Sequence, residues 1–349
     1  MPGSAAQPQR WRSAIRKKMS MKSCVKNRSG LRGRLCSGGL VLAVALLLGG
    51  CSTAPPLSSG AVRSPADPTV PATAAPPPAV LPAPAPVKPP LKLGLALGGG
   101  AARGFAHIGV IQVLEEAGIR PDLVVGTSAG SVVAALYASG KSGAQMQQVA
   151  DKMEEAAITD WTLPIFSRGM LKGEALARYV NGLVGNRLIE DMKLPLGVVA
   201  TDLGTGQGML FRRGSTGTAV RASSAVPSVF QPVSIGGRDY VDGGLVSPVP
   251  VRFARDMGAT YVLAVDISSP PEGNQAGDSL QILLQTFAIM SKSINAWELK
   301  EADLVVRPAL AGVKSADFGA RRKAIEAGRQ AMLQALPALK LALANARTP

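Results

Sequence analysis

The sequence predicts an α/β domain in which a mostly parallel sheet is covered by helices. From residue 91 onward, short apolar runs alternate with segments of helical periodicity. The runs are apolar at nearly every position, which is typical of strands that are buried on both faces of a sheet. Two joints between a strand and a helix are rich in glycine, as the connections of such folds often are.

The individual elements follow the alternation of a strand and a helix. The predicted strands are 91–97, 123–125, 194–203, 209–212, 240–242, 261–267 and 304–308. The predicted helices are 108–116, 131–137, 142–157, 173–184, 219–226, 279–300 and 317–345. The aromatic loop 161–166 interrupts this series. We expect it to belong to the core, with a substrate cleft or a lid that touches a membrane as alternatives.

Composition divides the chain of 349 residues into four segments. Residues 1–50 are predicted to be a signal peptide with an extended basic region, and 51–90 to be an anchor cysteine with a linker. Residues 91–311 are the predicted folded domain, and 312–349 a C-terminal helical extension. From residue 52 to residue 90, 13 prolines stand among Ala, Ser and Thr. Such a composition buries too little apolar surface to fold and behaves as a semi-rigid spacer.

The N-terminal segment has the pattern of a secretory signal. Ten Lys and Arg residues, with no acidic residue, precede a nine-residue apolar run at 40–48. Nine residues are too few to span a bilayer, which takes about 20, but they fit the apolar core of a signal peptide. Leu48-Gly49-Gly50-Cys51 resembles a bacterial lipobox, so Cys51 is the predicted lipid-anchor site; an ordinary signal peptide is the alternative. The anchor predicts a place in the cell envelope, on a membrane facing the periplasm, with the outer membrane favoured.

The charge distribution does not indicate a protein that binds nucleic acid. The net charge is +15, but the chain after residue 50 has 28 basic and 23 acidic residues, a net charge of only +5. Aromatic residues make up 4% of the chain, so platforms for base stacking are scarce. All three cysteines precede residue 52, and His107 is the single histidine. A disulfide framework and a Cys-rich or His-rich metal site are therefore not predicted in the folded domain.

One joint has the Gly-x-Ser-x-Gly pattern, Gly126-Thr127-Ser128-Ala129-Gly130. In a nucleophile elbow, a strained turn between a strand and a helix exposes a serine at the end of the sheet, and the glycines let the turn close. The N-terminus of the following helix favours negative charge that develops at the reacting centre. The pattern alone is weak, and a tight joint of small residues is the alternative.

The other glycine-rich joint follows the first predicted strand. It runs through Gly98, Gly99, Gly100, Ala101, Ala102, Arg103 and Gly104. Successive backbone N–H groups in such a turn bind an anion, which is either the pyrophosphate of a dinucleotide or the oxyanion of acyl transfer. A dinucleotide site requires an acidic residue at the end of the next strand, whereas Asp122 precedes that strand. The serine turn at the end of the second strand favours the oxyanion.

A serine nucleophile needs a base to take its proton. His107 lies in the first turn of the helix after the glycine-rich turn, where we expect it to pack against or brace that turn, so the predicted base is a carboxylate. Asp242 ends a short strand and precedes Gly243 and Gly244. An apolar cleft would raise its basicity; a plain Asp-Gly-Gly turn is the alternative. The weaker candidates, also near strand ends, are Asp202 and Asp266.

Three motifs stand in a definite order: the glycine-rich turn with His107-x-Gly109-Val110, the Gly-x-Ser-x-Gly turn, and Asp242-Gly243-Gly244. With the segments 223–227 and 248–250, they resemble bacterial patatin-like phospholipases over residues 91–310. The resemblance implies a three-layer α/β/α fold and a dyad without a catalytic histidine.

By this resemblance, Ser128 is the nucleophile, Asp242 is the base, and the turn 98–104 supplies backbone donors to the oxyanion, with no cofactor and no metal. Arg103 would orient that turn or meet an acidic headgroup. Ala101 departs from the family, in which many members have glycine; we expect its N–H to serve equally if its φ is negative.

The predicted function is that of a membrane-anchored serine hydrolase that forms an acyl-enzyme with a phospholipid or lysophospholipid. Two alternatives remain: transfer of the acyl group to an alcohol acceptor, and a non-catalytic envelope lipoprotein that uses the same fold for binding. No nucleic-acid partner is expected.

Overall fold

The computed structural model of the chain describes residues 90–160, 168–271, 277–314 and 316–347. All of them belong to one compact unit, Leu81–Pro349. The predicted signal peptide, Cys51, the linker through residue 89 and the aromatic loop 161–166 lie outside the described residues. Within the described ranges, we find no helix whose length and apolar character would let it cross a membrane.

The strands and helices in the described part of the chain are numbered here in order. The strands are β1 (Leu93–Leu97), β2 (Leu123–Thr127), β3 (Gly169–Leu171), β4 (Leu196–Asp202), β5 (Gly208–Phe211), β6 (Ser228–Phe230), β7 (Val233–Ile235), β8 (Arg238–Asp242), β9 (Tyr261–Val265) and β10 (Leu304–Val306). The helices are α1 (Ala106–Glu116), α2 (Ala129–Ala138), α3 (Gly143–Lys152), α4 (Glu174–Leu183), α5 (Thr216–Ser223), α6 (Val251–Asp256), α7 (Ser279–Glu298) and α8 (Arg321–Arg347).

The main sheet has the strand order β10-β9-β1-β2-β4-β8-β7, and β5 also pairs with β4. The pairs from β10 through β4 are parallel, whereas β5, β7 and β8 pair in the antiparallel direction. The prediction of an α/β fold with a mostly parallel sheet is confirmed, as is the pairing of the 209–212 segment with the strand before it.

Helices cover both faces of this sheet, as a three-layer α/β/α fold requires. One core cluster joins α1–α5 and α8 to the first face, and a second joins α6 to the other face. Strand β1 contributes to both, because Leu93, Leu95 and Leu97 lie in the first cluster and Ala96 in the second. This alternation is why the strands are apolar throughout.

Several predicted boundaries were wrong. The helix predicted at 142–157 ends at Lys152 and is followed by a separate 3₁₀ turn at Glu155–Ala157. The helix predicted at 219–226 spans Thr216–Ser223 and begins at the Ser215 cap. The short parallel pair β3–β6 and helix α6 were not predicted. Elements of three to six residues contain too little periodicity to be recognised.

Helix α8 lies in the predicted C-terminal extension and packs directly on α1. A Cβ placed on Gly109 of α1 would lie 1.9 Å from the Ile325 carbonyl oxygen, and one on Gly328 of α8 would lie 1.9 Å from the Ala106 carbonyl oxygen. The two backbones therefore touch where the helices cross. Glycine at both positions is a packing requirement of this helix pair.

The pairing of β4 explains how distant parts of the chain meet. A strand has two edges, and β5 occupies one edge of β4 along Val198–Thr201. Strands β2 and β8 therefore share the other edge: Thr127 of β2 pairs with Val199, and Asp242 of β8 pairs with the next residue, Ala200. Because β8 runs antiparallel to β4, its last residue meets the end of β2, where the serine turn begins.

Candidate active site

Ser128 occupies a strained turn between β2 and α2. Its φ is 52° and its ψ is −123°, a conformation that L-residues rarely adopt. The flanking glycines allow the turn to close against the sheet. A Cβ on Gly130 would lie 2.1 Å from the Leu97 carbonyl oxygen, and one on Gly126 would lie 2.4 Å from the Gly130 carbonyl oxygen. The predicted nucleophile-elbow geometry is present.

The backbone of Ser128 is held on both sides of the turn. Its N–H donates to Ser223 Oγ at 2.8 Å, and the Ser223 hydroxyl donates to the Val199 carbonyl. Its carbonyl accepts from the N–H of Ser131 at 2.8 Å and from Ser131 Oγ at 2.6 Å. Ser223 is a positioning residue to which the sequence analysis gave no role, although it lies in a segment that resembles the family. A serine in a short helix of small residues gives no sign of which backbone it will bind.

Asp242 lies beside Ser128, and its side chain is near enough to the Ser128 hydroxyl for that hydroxyl to affect the pKa of the carboxyl. Its carboxylate Oδ1 also accepts the Gly244 N–H at 2.7 Å, and its backbone carbonyl accepts Thr201 Oγ1 at 2.8 Å. The residue is only 7% exposed. Burial raises the pKa of the carboxyl to about 6, although the Gly244 N–H and the Ser128 hydroxyl oppose this shift. A carboxylate of this basicity can take a proton near neutral pH.

The two weaker carboxylate candidates are engaged elsewhere. Asp202 Oδ1 accepts the N–H groups of Gly204 and Thr205 and so closes a local turn. Asp266 accepts from Ser268 and from Arg307 Nε at 3.3 Å. Among the carboxylates of the described residues that the sequence analysis weighed, only Asp242 has a pKa that the Ser128 side chain affects.

The glycine-rich turn passes directly beside Ser128. A Cβ on Gly99 would lie 3.1 Å from Ser128 Cβ, and one on Gly104 would lie 2.8 Å from Ala129 Cβ. Close approach of this backbone to the serine therefore depends on the absence of side chains. The turn therefore lies against Ser128 and the first residue of α2, and a helix N-terminus favours an anion.

The expectation that every residue of the turn from Gly98 to Gly104 offers an N–H needs correction. The N–H of Gly98 donates to the Val265 carbonyl at 3.1 Å, that of Gly99 to the Pro248 carbonyl at 2.9 Å, and that of Arg103 to the Gly100 carbonyl at 3.2 Å. Within the described ranges, no protein acceptor receives the N–H of Gly100, Ala101 or Ala102. These three are the remaining donors for an anion.

Ala101 has a φ of 51°, so the condition of a negative φ, on which we expected its N–H to serve as glycine's would, is not met. The left-handed conformation of an L-residue costs about 1–2 kcal/mol. The 3₁₀ turn Ala101–Phe105 begins here, and the strained residue is one of the three whose N–H has no protein acceptor among the described residues. Strain of this kind is common at functional sites.

Ala101→Gly is expected to raise the free energy of unfolding by about 0.5–1 kcal/mol. The relief of strain, about 1–2 kcal/mol, exceeds the extra entropy of glycine in the unfolded chain, about 0.4–1 kcal/mol. Denaturant unfolding measures the difference. The control is Ala117→Gly, where φ is −82° and glycine should destabilise. An Ala101→Gly protein less stable than the parent would contradict the strain.

The prediction that His107 braces the glycine-rich turn is confirmed. The ring is fully buried, and Nε2 lies 2.8 Å from the Gly98 carbonyl oxygen. Burial lowers the pKa of His107 to about 4, although the bond to Gly98 and the charge of Asp266 oppose this shift. The imidazole is therefore neutral at pH 7, and its Nε2–H donates to the carbonyl.

Arg103 also supports the turn. Its side chain is buried, and its guanidinium donates to the Ser268 carbonyl after β9. Of the two predicted roles, this contact favours orientation of the turn over recognition of a headgroup. Among the described residues, no group of three His, Cys, Asp or Glu side chains is placed to hold a metal.

His107→Gln is expected to retain activity within about tenfold, because the glutamine amide can donate to Gly98 in place of Nε2–H. His107→Ala should lose about 1–3 kcal/mol of stability, since the buried carbonyl is left unpaired. In both variants kcat/KM should still fall as the pH drops below about 6, because this fall reflects protonation of the Asp242 carboxyl. If kcat/KM of the glutamine variant no longer fell at acid pH, the titrating group would be the His107 imidazole and not Asp242.

Comparisons with known proteins agree with this geometry. Residues 95–255 match the family model of patatin-like phospholipases. The chain is 36% identical over 233 residues to patatin-like phospholipase domain-containing protein 6 of Homo sapiens. This alignment covers 64% of this chain and 16% of that protein. It is 32% identical over 274 residues to an uncharacterized NTE family protein of Mycobacterium tuberculosis. This alignment covers 71% of this chain and 47% of that protein.

The chain thus spans less than half the length of either relative. Among solved structures, VipD from Legionella pneumophila matches with a TM-score of 0.41 at 14% identity, covering 71% of this chain and 67% of VipD. The family match includes the end of β1, the glycine-rich turn, Ser128 and Asp242. Residues 95–255 therefore form a patatin-like phospholipase domain.

Proposed function

We propose that this protein hydrolyses acyl esters of phospholipids or lysophospholipids, with Ser128 as nucleophile and Asp242 as base. The observation that carries the proposal is the position of the buried Asp242 carboxyl beside the Ser128 hydroxyl, which lies near enough to lower the pKa of that carboxyl. The N–H groups of Gly100, Ala101 and Ala102 support it, because no acceptor among the described residues receives them and they can serve the oxyanion. The name of the human relative, a patatin-like phospholipase domain-containing protein, suggests the substrate class.

In the first half of the reaction, Ser128 Oγ attacks the ester carbonyl carbon as its proton passes to Asp242. The carbonyl electron pair moves onto oxygen, and the resulting oxyanion accepts hydrogen bonds from the turn at Gly100–Ala102. The intermediate then collapses to the acyl-enzyme, and the leaving alcohol takes the proton from Asp242. Preorganised backbone donors are worth several kcal/mol in such a transition state.

In the second half, Asp242 takes a proton from water, which attacks the acyl-enzyme carbonyl. The second oxyanion uses the same N–H groups. Its collapse releases the fatty acid, and the proton returns from Asp242 to Ser128 Oγ. No proton has to pass through His107, whose Nε2–H is committed to Gly98.

Product analysis tests the reaction class. The purified protein is incubated with a phosphatidylcholine or a lysophosphatidylcholine in the presence of glycerol, and Ser128→Ala serves as the control. Free fatty acid that depends on Ser128 is the expected product. Acylglycerol as the main Ser128-dependent product would instead identify an acyltransferase, and no Ser128-dependent product from either lipid would favour the non-catalytic alternative.

We also propose that Cys51 carries a lipid anchor and that the mature protein lies on the periplasmic side of the cell envelope, with the outer membrane favoured. The basic segment, the short apolar run and the sequence Leu48-Gly49-Gly50-Cys51 support this. In bacteria grown with labelled palmitate, the label should enter the parent protein and be absent from Cys51→Ser. Equal labelling of both would remove Cys51 as the anchor, and fractionation of inner and outer membranes tests the location.

A further inference from the structure

Ser247 is bonded to the neighbours of both residues of the proposed dyad. Its backbone N–H donates to the carbonyl of Gly243, the residue after Asp242, at 2.9 Å. Its backbone carbonyl accepts the hydroxyl of Thr127, the residue before Ser128, at 2.9 Å. Ser247 and Thr127 are both fully buried, so water does not compete for these bonds. One residue therefore connects the backbone beside the base to the backbone beside the nucleophile.

The next residue extends this connection to the glycine-rich turn. The Pro248 carbonyl accepts the N–H of Gly99 at 2.9 Å. Prolines stand at positions 248 and 250, and a proline fixes its own φ and restricts the residue before it to extended conformations. The segment 247–250 is therefore stiff, and it relates all three motifs of the candidate site to one another.

A buried carboxylate at the end of α7 holds the Ser247 side chain. Glu298 Oε1 accepts the Ser247 hydroxyl at 2.5 Å and the Arg252 N–H at 3.4 Å, and Arg252 Nε lies 3.9 Å from the same oxygen. The residue is only 8% exposed. Burial raises the pKa of Glu298, although the bond from Ser247 and the charge of Arg252 oppose this shift. The shortest of these contacts is the one that orients Ser247.

We propose that Ser247 and Glu298 are positioning residues that set the distance between the Ser128 hydroxyl and the Asp242 carboxyl. The inference rests on the proposed hydrolysis and adds to it two residues that touch neither the substrate nor the transferred proton. A displacement of about 1 Å between reacting groups can lower a rate by about 10²-fold, so residues that fix this distance contribute to turnover without taking part in the chemistry.

The alternative is that Glu298 only stabilises α6, because it also accepts the N–H of Arg252 in the first turn of that helix. A carboxylate in that place contributes to the stability of the helix and not to turnover. The two roles therefore differ in kcat, which positioning changes and capping does not.

Two pairs of variants test the proposal with short-chain p-nitrophenyl esters. Thr127→Val removes the hydroxyl that binds the Ser247 carbonyl while nearly keeping the shape of the side chain, and Thr127→Ser retains that hydroxyl. Glu298→Leu removes the acceptor of the Ser247 hydroxyl, and Glu298→Gln retains an oxygen in its place. The matched control is Thr216→Val at the start of α5, because Thr216 is also fully buried and its hydroxyl donates to the Arg187 carbonyl at 2.7 Å.

We expect kcat to fall by about tenfold or more in Thr127→Val and Glu298→Leu, with KM within about threefold of the parent, because positioning acts in the transition state. Labelling of Ser128 by a fluorophosphonate should slow in parallel. Thr127→Ser and Glu298→Gln should retain kcat within about threefold. Thr216→Val should lower the melting temperature about as much as Thr127→Val but leave kcat within about twofold, since it loses a similar buried hydrogen bond far from the dyad.

Melting curves establish which variants are folded at the assay temperature, and if one pair does not fold, the other decides. Parent-like kcat in a folded Thr127→Val or Glu298→Leu protein would overturn the proposal, as would an equal loss of kcat in Thr216→Val. Equal losses in both members of a pair would also overturn it, because the hydrogen bond would not be the cause. Ser128→Ala separates these results from failure of the proposed function: parent turnover that does not depend on Ser128 would remove the nucleophile, and the positioning role with it.

Discussion

Replacing Ser128 with alanine is expected to reduce ester hydrolysis by at least about 10³-fold. The substitution removes the oxygen that forms the acyl-enzyme but leaves the backbone contacts of the turn, because Ser223 and Ser131 bind the Ser128 backbone and not its hydroxyl. The variant should therefore fold as the parent does. Release of p-nitrophenol from short-chain esters measures the loss without requiring a membrane.

Ser139→Ala is the matched control for this substitution. Ser139 follows the same helix, α2, and its hydroxyl donates only to the Leu136 carbonyl, at 2.7 Å. We expect its turnover to stay within about twofold of the parent. Turnover in Ser128→Ala that equals the parent's would remove Ser128 as the nucleophile, provided that melting curves show both variants folded.

Asp242→Asn is expected to reduce kcat by about 10²–10⁴-fold, the usual contribution of a general base. Asparagine has nearly the same shape and can still accept the Gly244 N–H, but it cannot take the proton of Ser128. In the parent, kcat/KM should fall as the pH drops below about 6, because protonation of the Asp242 carboxyl removes the base. The control is Asp239→Asn on the same strand, which changes a surface ion pair with Arg168. It should leave the pH dependence of kcat/KM unchanged.

The same substitution should stabilise the protein at alkaline pH. Because burial raises the pKa of Asp242 from 3.8 to about 6, the folded state binds more protons than the unfolded state between these values. The parent therefore loses stability as the pH rises through this window, and the neutral amide does not. We expect Asp242→Asn to be about 1–2 kcal/mol more stable than the parent near pH 8, with the difference vanishing near pH 4. A variant that is less stable at both pH values would contradict a buried, destabilising carboxylate.

Much of the fold could be predicted because the signal is local. The strands that became β1, β2, β4 and β9 are apolar on both faces, and each stands beside a turn rich in small residues. The strained turn at Ser128 was also recognisable, since glycines at 126 and 130 are what such a turn requires.

The contact between Ser128 and Asp242 depends on strand pairing that no local pattern contains. The two residues meet because β2 and β8 share one edge of β4. The sequence favoured Asp242 over Asp202 and Asp266 as the base, and the resemblance to a family supported that choice, but neither contains the strand pairing. The hydrogen bonds of the glycine-rich turn could not be predicted from a local pattern either. The N–H groups of Gly98 and Gly99 are occupied because they donate to the carbonyls of Val265 and Pro248, more than 140 residues away.

Some features of the site follow only from tertiary contacts. The positive φ of Ala101 was not predicted, because alanine usually avoids it and the surrounding fold imposes it here. Ser223 was not assigned a role for a similar reason: its partners, the N–H of Ser128 and the carbonyl of Val199, lie on other elements.

The most direct test of the dyad is the site and rate of labelling by a fluorophosphonate, which reacts only with an activated serine. Peptide mass spectrometry of the parent should place the adduct on Ser128, and labelling of Asp242→Asn should be slower by at least about 10²-fold at pH 8. An adduct on another serine, or equal labelling rates in the two proteins, would contradict activation of Ser128 by Asp242.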